Sequence, residues 1–179
     1  IPEPIPYALL ATNIATAYFF KGDMDQAVEN FALAVELDPK DAELRRNHGD
    51  VLLRMGDRQA AAAEYREAVA LMDEELSVNP GDGERLLHRA MYSAKAGDCE
   101  SAVSEATELK ATLPKTAFGA HELAYIYALC GTREMALEAV REAIDLGISP
   151  ELMAQEDEFA TLQDDPEFQA LTGRNVSPE

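Results

Sequence analysis

Small and large apolar residues recur along the chain at helical spacing, and the recurrence is itself repeated. Ala27, Phe31 and Ala34 fall at i, i+4 and i+7, which puts a small, a large and a small residue on one stripe of a helix. Five residues before Ala27 stands Gly22, and the steps from Gly22 to Gly56, Gly97 and Gly131 are 34, 41 and 34 residues. Ala61, Ala102 and Ala136 keep the same offset of five from their glycines. Four turns in one rhythm predict a repeat of helix, glycine turn and helix, with apolar faces buried between neighbouring units rather than in one central core.

Taken in order, residues 1–7 carry three prolines and read as an extended lead. The chain begins at Ile1 rather than Met, which points to a piece of something longer or to a processed start. Ala8 to Phe20 reads as the first helix, with Ile14, Ala15 and Tyr18 facing the helix that follows Gly22 and Asp23 capping that second helix. Asp38-Pro39 closes the hairpin and Asp41 restarts the pattern. Units are expected at 8–41, 42–82, 83–116 and 117–150. The 41-residue step adds seven residues, almost two turns of 3.6, so it predicts one continuous helix from about Arg58 to Ser77. Leu71, Met72, Leu76 and Val78 would continue its apolar stripe. After Ser149-Pro150 the period is lost, and residues 151–179 are expected to form short capping helices and a tail. Phe159, Leu162, Phe168 and Leu171 would face inward, and Glu156, Asp157, Glu158, Asp164 and Asp165 outward.

These residues carry a resemblance to the tetratricopeptide repeat (TPR) family, whose unit is 34 residues of helix, turn and helix. In the first unit Ala15, Tyr18, Gly22-Asp23, Ala27, Phe31, Ala34 and Pro39 match the family pattern. The second unit offers Gly49, Leu52, Gly56-Asp57, Ala61, Tyr65 and Ala68, and the fourth Leu123, Ala124, Tyr127, Gly131, Ala136, Val140 and Ala143. The third departs most: Ser93 and Ala106 replace the aromatic pair, and looser packing is expected there. The resemblance implies an all-α helical-hairpin solenoid, a right-handed superhelix of about four repeats with a C-terminal helical cap. Phe159-Ala-Thr-Leu162 followed by Asp165-Pro-Glu-Phe-Gln-Ala-Leu171 is also similar to TPR regions C-terminal to bacterial serine/threonine kinases, adenylate cyclases and transcriptional activators.

In that family the first helix of each unit lines a concave groove. The resemblance therefore assigns Leu9, Thr12, Asn13, Thr16 and Phe20 to the groove from the first unit, and Arg46, Asn47, Asp50 and Arg54 from the second. The third contributes Glu84, His88, Met91 and Lys95, and the fourth His121, Glu122, Tyr125 and Ala128. Amides, aromatics and charges at this spacing suit an extended peptide or a helix. For Phe20, Met91 and Tyr125 the alternative is packing against adjacent helices. At the five positions where some members grip a terminal carboxylate stand Thr12, Thr16, Asn47, Glu84 and His88; only Asn47 matches, so chaperone C-terminal peptides are not expected ligands.

Charge narrows the partners further. Fifteen Lys and Arg against thirty-four Asp and Glu leave a net charge of -19, which repels phosphate backbones and anionic headgroups. Nucleic acid is excluded as a partner, and no apolar run approaches the ~20 residues that span a bilayer. The reading is a cytoplasmic protein with no membrane contact. Three basic groove residues, Arg46, Arg54 and Lys95, would make the concave face less negative than the exterior and admit an acidic or polar segment. Cys99 and Cys130 make no metal-ligand spacing and read as free thiols; a disulfide between consecutive repeats is the alternative, since both lie near the turn end of their units. His88 and His121 occupy neighbouring outward positions with Glu122 alongside, but no third strong ligand accompanies them, so recognition rather than metal binding is their assigned role. No phosphate loop, serine elbow, His-Glu-x-x-His or calcium loop is present. The sequence thus predicts a non-catalytic interaction scaffold without cofactor or metal, binding a segment of another protein as a monomer or weak homo-oligomer. The alternatives are a regulatory arm of a larger signalling enzyme or transcriptional regulator, and an oligomerisation module.

Overall fold

The computed structural model describes residues 7–173, all of whose regular structure is helical, with no strand among the described residues. The extended lead expected over residues 1–7 lies outside the described residues except for Tyr7, which opens the first helix. The chain forms two compact units, 1–80 and 81–179. The first holds α1 (Tyr7–Lys21), α2 (Met24–Leu37), α3 (Ala42–Arg54) and α4 (Arg58–Val78). The second holds α5 (Gly83–Lys95), α6 (Cys99–Thr112), α7 (Ala117–Leu129) and α8 (Arg133–Asp145). After these come α9 (Pro150–Met153), a 3-10 helix (Asp157–Leu162) and α10 (Pro166–Thr172).

Each hairpin turns at the glycine of the sequence rhythm. Gly22, Gly56, Gly97 and Gly131 have φ of 84°, 88°, 92° and 69°, a left-handed conformation that costs a side-chain-bearing residue and costs glycine nothing. The geometry closes each first helix in the same way: Asp23 N-H donates to Tyr18 C=O and Gly22 N-H to Phe19 C=O, both at 3.0 Å. The aspartate after the glycine then caps the next helix, as Asp23 does for Gln26 N-H, Asp57 for Ala60 N-H and Asp98 for Ser101 N-H. Thr132, at the same place in the last hairpin, makes no side-chain cap.

Turn glycine and alanine together set the packing. Ala27, Ala61, Ala102 and Ala136 are all buried, where a methyl group lets two helices approach closely. In the first unit two clusters follow, Ala11, Ala34, Val35 and Leu44, then Ala15, Ala27, Phe31 and Val51 with Tyr18 and Phe19 against them. Ile14 does not join these clusters; it lies on another flank of α1 and is exposed, so of the three residues expected on the inner face only Ala15 and Tyr18 are there. The 41-residue step is a single helix, α4 of 21 residues. Met72 and Leu76 extend its buried stripe, whereas Val78, at the last position of the helix, is exposed. Tyr65 of α4 is buried and donates to Asp50 of α3 at 2.7 Å, and Glu64 bridges to Arg45 at 3.0 Å and His48 at 3.2 Å.

In the second unit Ser93 and Ala106 are buried, with Tyr92 buried beside Ser93, so the small residues of this repeat sit in a closed interior. The two cysteines form a disulfide with Cα atoms 5.3 Å apart, correcting the expectation of free thiols. The reason is positional: Cys99 is the first residue of α6 and Cys130 directly follows α7, so stacking the two hairpins brings their turn ends together.

Two outcomes test this packing. Ala61→Leu should overpack the α3–α4 contact and cost ~1–3 kcal/mol in urea denaturation. Reducing the disulfide, or replacing both cysteines with alanine, should cost ~2–4 kcal/mol from the closed loop between them, read as the shift in denaturant midpoint with and without reductant.

Candidate protein-interaction surfaces

On α1 of the first unit, Leu9, Asn13, Thr16 and Phe20 succeed one another at i, i+4, i+7 and i+11 and form a single stripe. Phe20 is 83% exposed and meets Phe19 edge-on at 5.9 Å. Phe19 in turn lies beneath the Arg54 guanidinium at 4.9 Å, a cation–π contact that brings α3 to the same place. Arg46 bridges Asp50 and Glu43 of its own helix, both at 3.4 Å, and Asp50 also accepts from Tyr65. Asn47 is half-buried on α3. Asp50 thus helps to hold the α3–α4 hairpin and Arg46 is tied along α3, while Phe20, Asn13 and Thr16 keep to the surface of α1.

The second unit treats its assigned residues differently. Met91 and Glu122 are buried and line no open groove, because α5 and α7 are covered on these sides. His88 stacks on Tyr92 at 6.0 Å and meets Phe118 edge-on at 5.7 Å. Lys95, with only 7% of its side chain exposed, is bound at 3.0 Å by Glu158 of the 3-10 helix. His121 meets Glu156 at 3.0 Å, and Tyr125 hydrogen-bonds to the same carboxylate. Phe159 is buried with its ring 5.0 Å from Tyr125 and 5.4 Å from Phe168 of α10. Thr161 donates its hydroxyl to Ala128 C=O at 3.0 Å. The acidic segment that this face was expected to draw from a partner is therefore present in the chain itself. Glu156 and Glu158, expected to point outward, turn inward because the cation of Lys95 and the ring nitrogen of His121 are there to receive them. Phe159, Leu162 and Phe168 are buried as expected of a cap, and Leu171 is half-buried. No group of three or more metal-ligating side chains occurs among the described residues.

The electrostatics follow from these contacts. Burial first, and then the bond to Glu156, raise the Tyr125 phenol above its ordinary value, and burial raises Tyr127 as well. On the outer side of the cap Arg133 holds Asp165 below the usual carboxylate range and also bridges to Glu167 at 3.3 Å.

A cleft of about 420 Å3 opens between α5, the end of α6 and the start of α7, and nothing in the periodicity announced it. Leu87, Leu109, Leu113, Phe118 and Leu123 line it. At its rim Lys110 pairs with Glu138 at 2.8 Å and Lys115 with Glu142 at 2.6 Å. Its residues come from four helices and a loop, so no single periodic stripe signals it.

Antiparallel helix pairs, left-handed glycine turns and buried alanines five residues on define a TPR fold. TTC0263, a thermophilic TPR protein of Thermus thermophilus, shares it, with 18% identity, 93% of this chain and 89% of that chain covered, and a TM-score of 0.58. YrrB, described as a TPR protein with an unusual peptide-binding site, is 20% identical over 78% of this chain and 86% of its own, with a TM-score of 0.39. The family model of the bacterial transcriptional activator domain (BTAD) matches residues 8–92, from α1 into α5. No curated protein matches the chain.

The Tyr125 environment yields a pH dependence of definite sign. A phenol whose pKa is raised on folding contributes stability that is complete below its unfolded value of ~10 and is lost as pH rises beyond it. Denaturant midpoints should therefore hold up to about pH 9 and fall as pH rises through about 10 and above. Tyr125→Phe should make that fall shallower, leaving a remainder from Tyr127.

Proposed function

We propose that the chain is a non-catalytic interaction module that binds a segment of another protein along the α1 stripe of the first unit. The observation that carries this is Phe20, an aromatic ring left in water among groups suited to recognition. Full burial of such a ring is worth ~1.5–3 kcal/mol, which a bound segment would recover. Asn13 and Thr16 on the same stripe can bond a partner's backbone, and Arg54 and Asn47 of α3 supply charge and amide nearby. In the second unit the corresponding positions hold the chain's own acidic segment, so the apolar cleft is the surface there that suits a partner side chain.

The match to the bacterial transcriptional activator domain supports a second reading, in which the module is the regulatory arm of a transcriptional activator. Reading the gene upstream of Ile1 separates the two, since a DNA-binding module in the same frame would support the second.

A peptide selected on an array against the wild-type chain provides the test. Phe20→Ser combined with Asn13→Ala should weaken that peptide at least tenfold, or ~1.4 kcal/mol, in fluorescence anisotropy, with the melting temperature almost unchanged because both side chains are exposed. Equal affinity would place the site elsewhere.

A further inference from the structure

α1 presents a second, apolar flank, separate from the stripe that carries Phe20. Tyr7, Leu10, Ile14 and Ala17 recur at helical spacing, and all four are exposed. Leu10 and Ile14 keep 47% and 39% of their surface in contact with solvent. Where the other first helices carry apolar residues at the positions of Leu10, Ile14 and Ala17, those residues are in a different state; the remaining counterparts are His48 in α3, Arg85 and Arg89 in α5, and Gly119 in α7. One step of 34 residues along the sequence, Leu10 becomes Leu44 and Ala17 becomes Val51. At the same register in α7, Ile14 becomes Leu123 and Ala17 becomes Ile126. All of these apolar counterparts are buried; Leu44 and Leu123 are each only 7% exposed.

What covers the counterparts is also known. In α3, Leu44 packs with Ala34 and Val35 of α2, and Val51 with Ala27 and Phe31 of α2. The cover is an antiparallel helix whose facing side is small, large, small and β-branched, at i, i+4, i+7 and i+8. Large residues of the first helix enter over the alanines of the second, which is what allows the close approach. α7 likewise packs on α6, where Ala102, Ala106 and Leu109 are buried.

We propose that the Tyr7-Leu10-Ile14-Ala17 flank is a docking surface for a partner α-helix of the α2 kind, one that offers alanines opposite Leu10 and Ala17. This surface differs from the α1 stripe assigned above, and its occupant is a helix rather than an extended segment. A second copy does not fit it. The α2 face of a copy is already buried beneath its own α1 and α3, and two α1 flanks would set Leu and Ile against Leu and Ile, with only Ala17 to admit a close approach.

The test uses a capped synthetic peptide with the sequence of α2, stapled between the exposed positions 29 and 33 so that helix formation does not dominate the cost of binding. The peptide is titrated into isotope-labelled full chain and followed by NMR. Saturable shifts at Leu10, Ile14 and Ala17 are expected, weakened at least tenfold by Leu10→Lys with Ile14→Lys. Because both residues are exposed, that variant should keep the wild-type melting temperature. A control peptide with leucine in place of Ala27 and Ala34 should also bind at least tenfold more weakly. Absence of shifts at millimolar peptide, or an equal response from the lysine variant, overturns the proposal. So does self-association of the wild-type chain that the lysine variant abolishes in sedimentation, which would assign the flank to a second copy. Shifts along the Phe20 stripe instead would support the groove reading and overturn this one.

Discussion

Two helices can lie close together only where neither carries bulk at the crossing, and in this chain that condition falls on one alanine per hairpin. Ala27, Ala61, Ala102 and Ala136 occupy it, each five residues after a glycine whose positive φ reverses the chain. The five-residue interval fixes the rotation of the second helix, so that the alanine and the residue four positions on face the first helix together. If the glycine could not take the left-handed conformation, the second helix would start at another angle and the alanine would face elsewhere. Turn and crossing are thus one constraint. Because it is met separately in every hairpin, stability is built from neighbour contacts and not from a single centre.

A structure held together by repeated contacts has to deal with its end positions. In the second unit the last hairpin is covered by residues 153–172, and the cover is as much electrostatic as apolar. Phe159 and Phe168 fill the interior, while Glu156 and Glu158 reach His121 and Lys95. Basic side chains are scarce at fifteen against thirty-four acids. Lys95, Lys110, Lys115, Arg133 and Arg141 each hold a carboxylate of the same chain. The α5–α7 face of this unit is therefore not a basic strip awaiting an acidic ligand, because the chain supplies the acids itself.

How far this was legible depended on whether the cause was local. Helix, turn and register were visible because glycine conformation, aspartate capping and small-large-small spacing act within a few residues. The long α4 was legible for the same reason, since an insertion of nearly two turns keeps its face. What could not be read were contacts between residues far apart in sequence. Lys95 and Glu158 are 63 residues apart, and His121 and Glu156 are 35 apart. Neither has a periodicity, although an acidic run after a face carrying lysine and histidine was a signal of complementarity that could have been used. Ile14 failed differently: a helix with two apolar flanks gives two answers to which side is inner, and only the position of α2 decides between them.

The disulfide introduces an asymmetry between the units. Both cysteines belong to the second, so the constraint on the unfolded chain applies there alone. Cys99 follows Lys95 by four residues, and Cys130 follows Ala128, the acceptor for Thr161, by two. The crosslink therefore ties together the two helix ends on which the acidic segment rests. In a reducing compartment the pair stands as thiols and the segment is held by its ion pairs and aromatic contacts only; in an oxidising one its platform is fixed covalently. The first unit, which carries Phe20 and the Leu10 flank, has no cysteine.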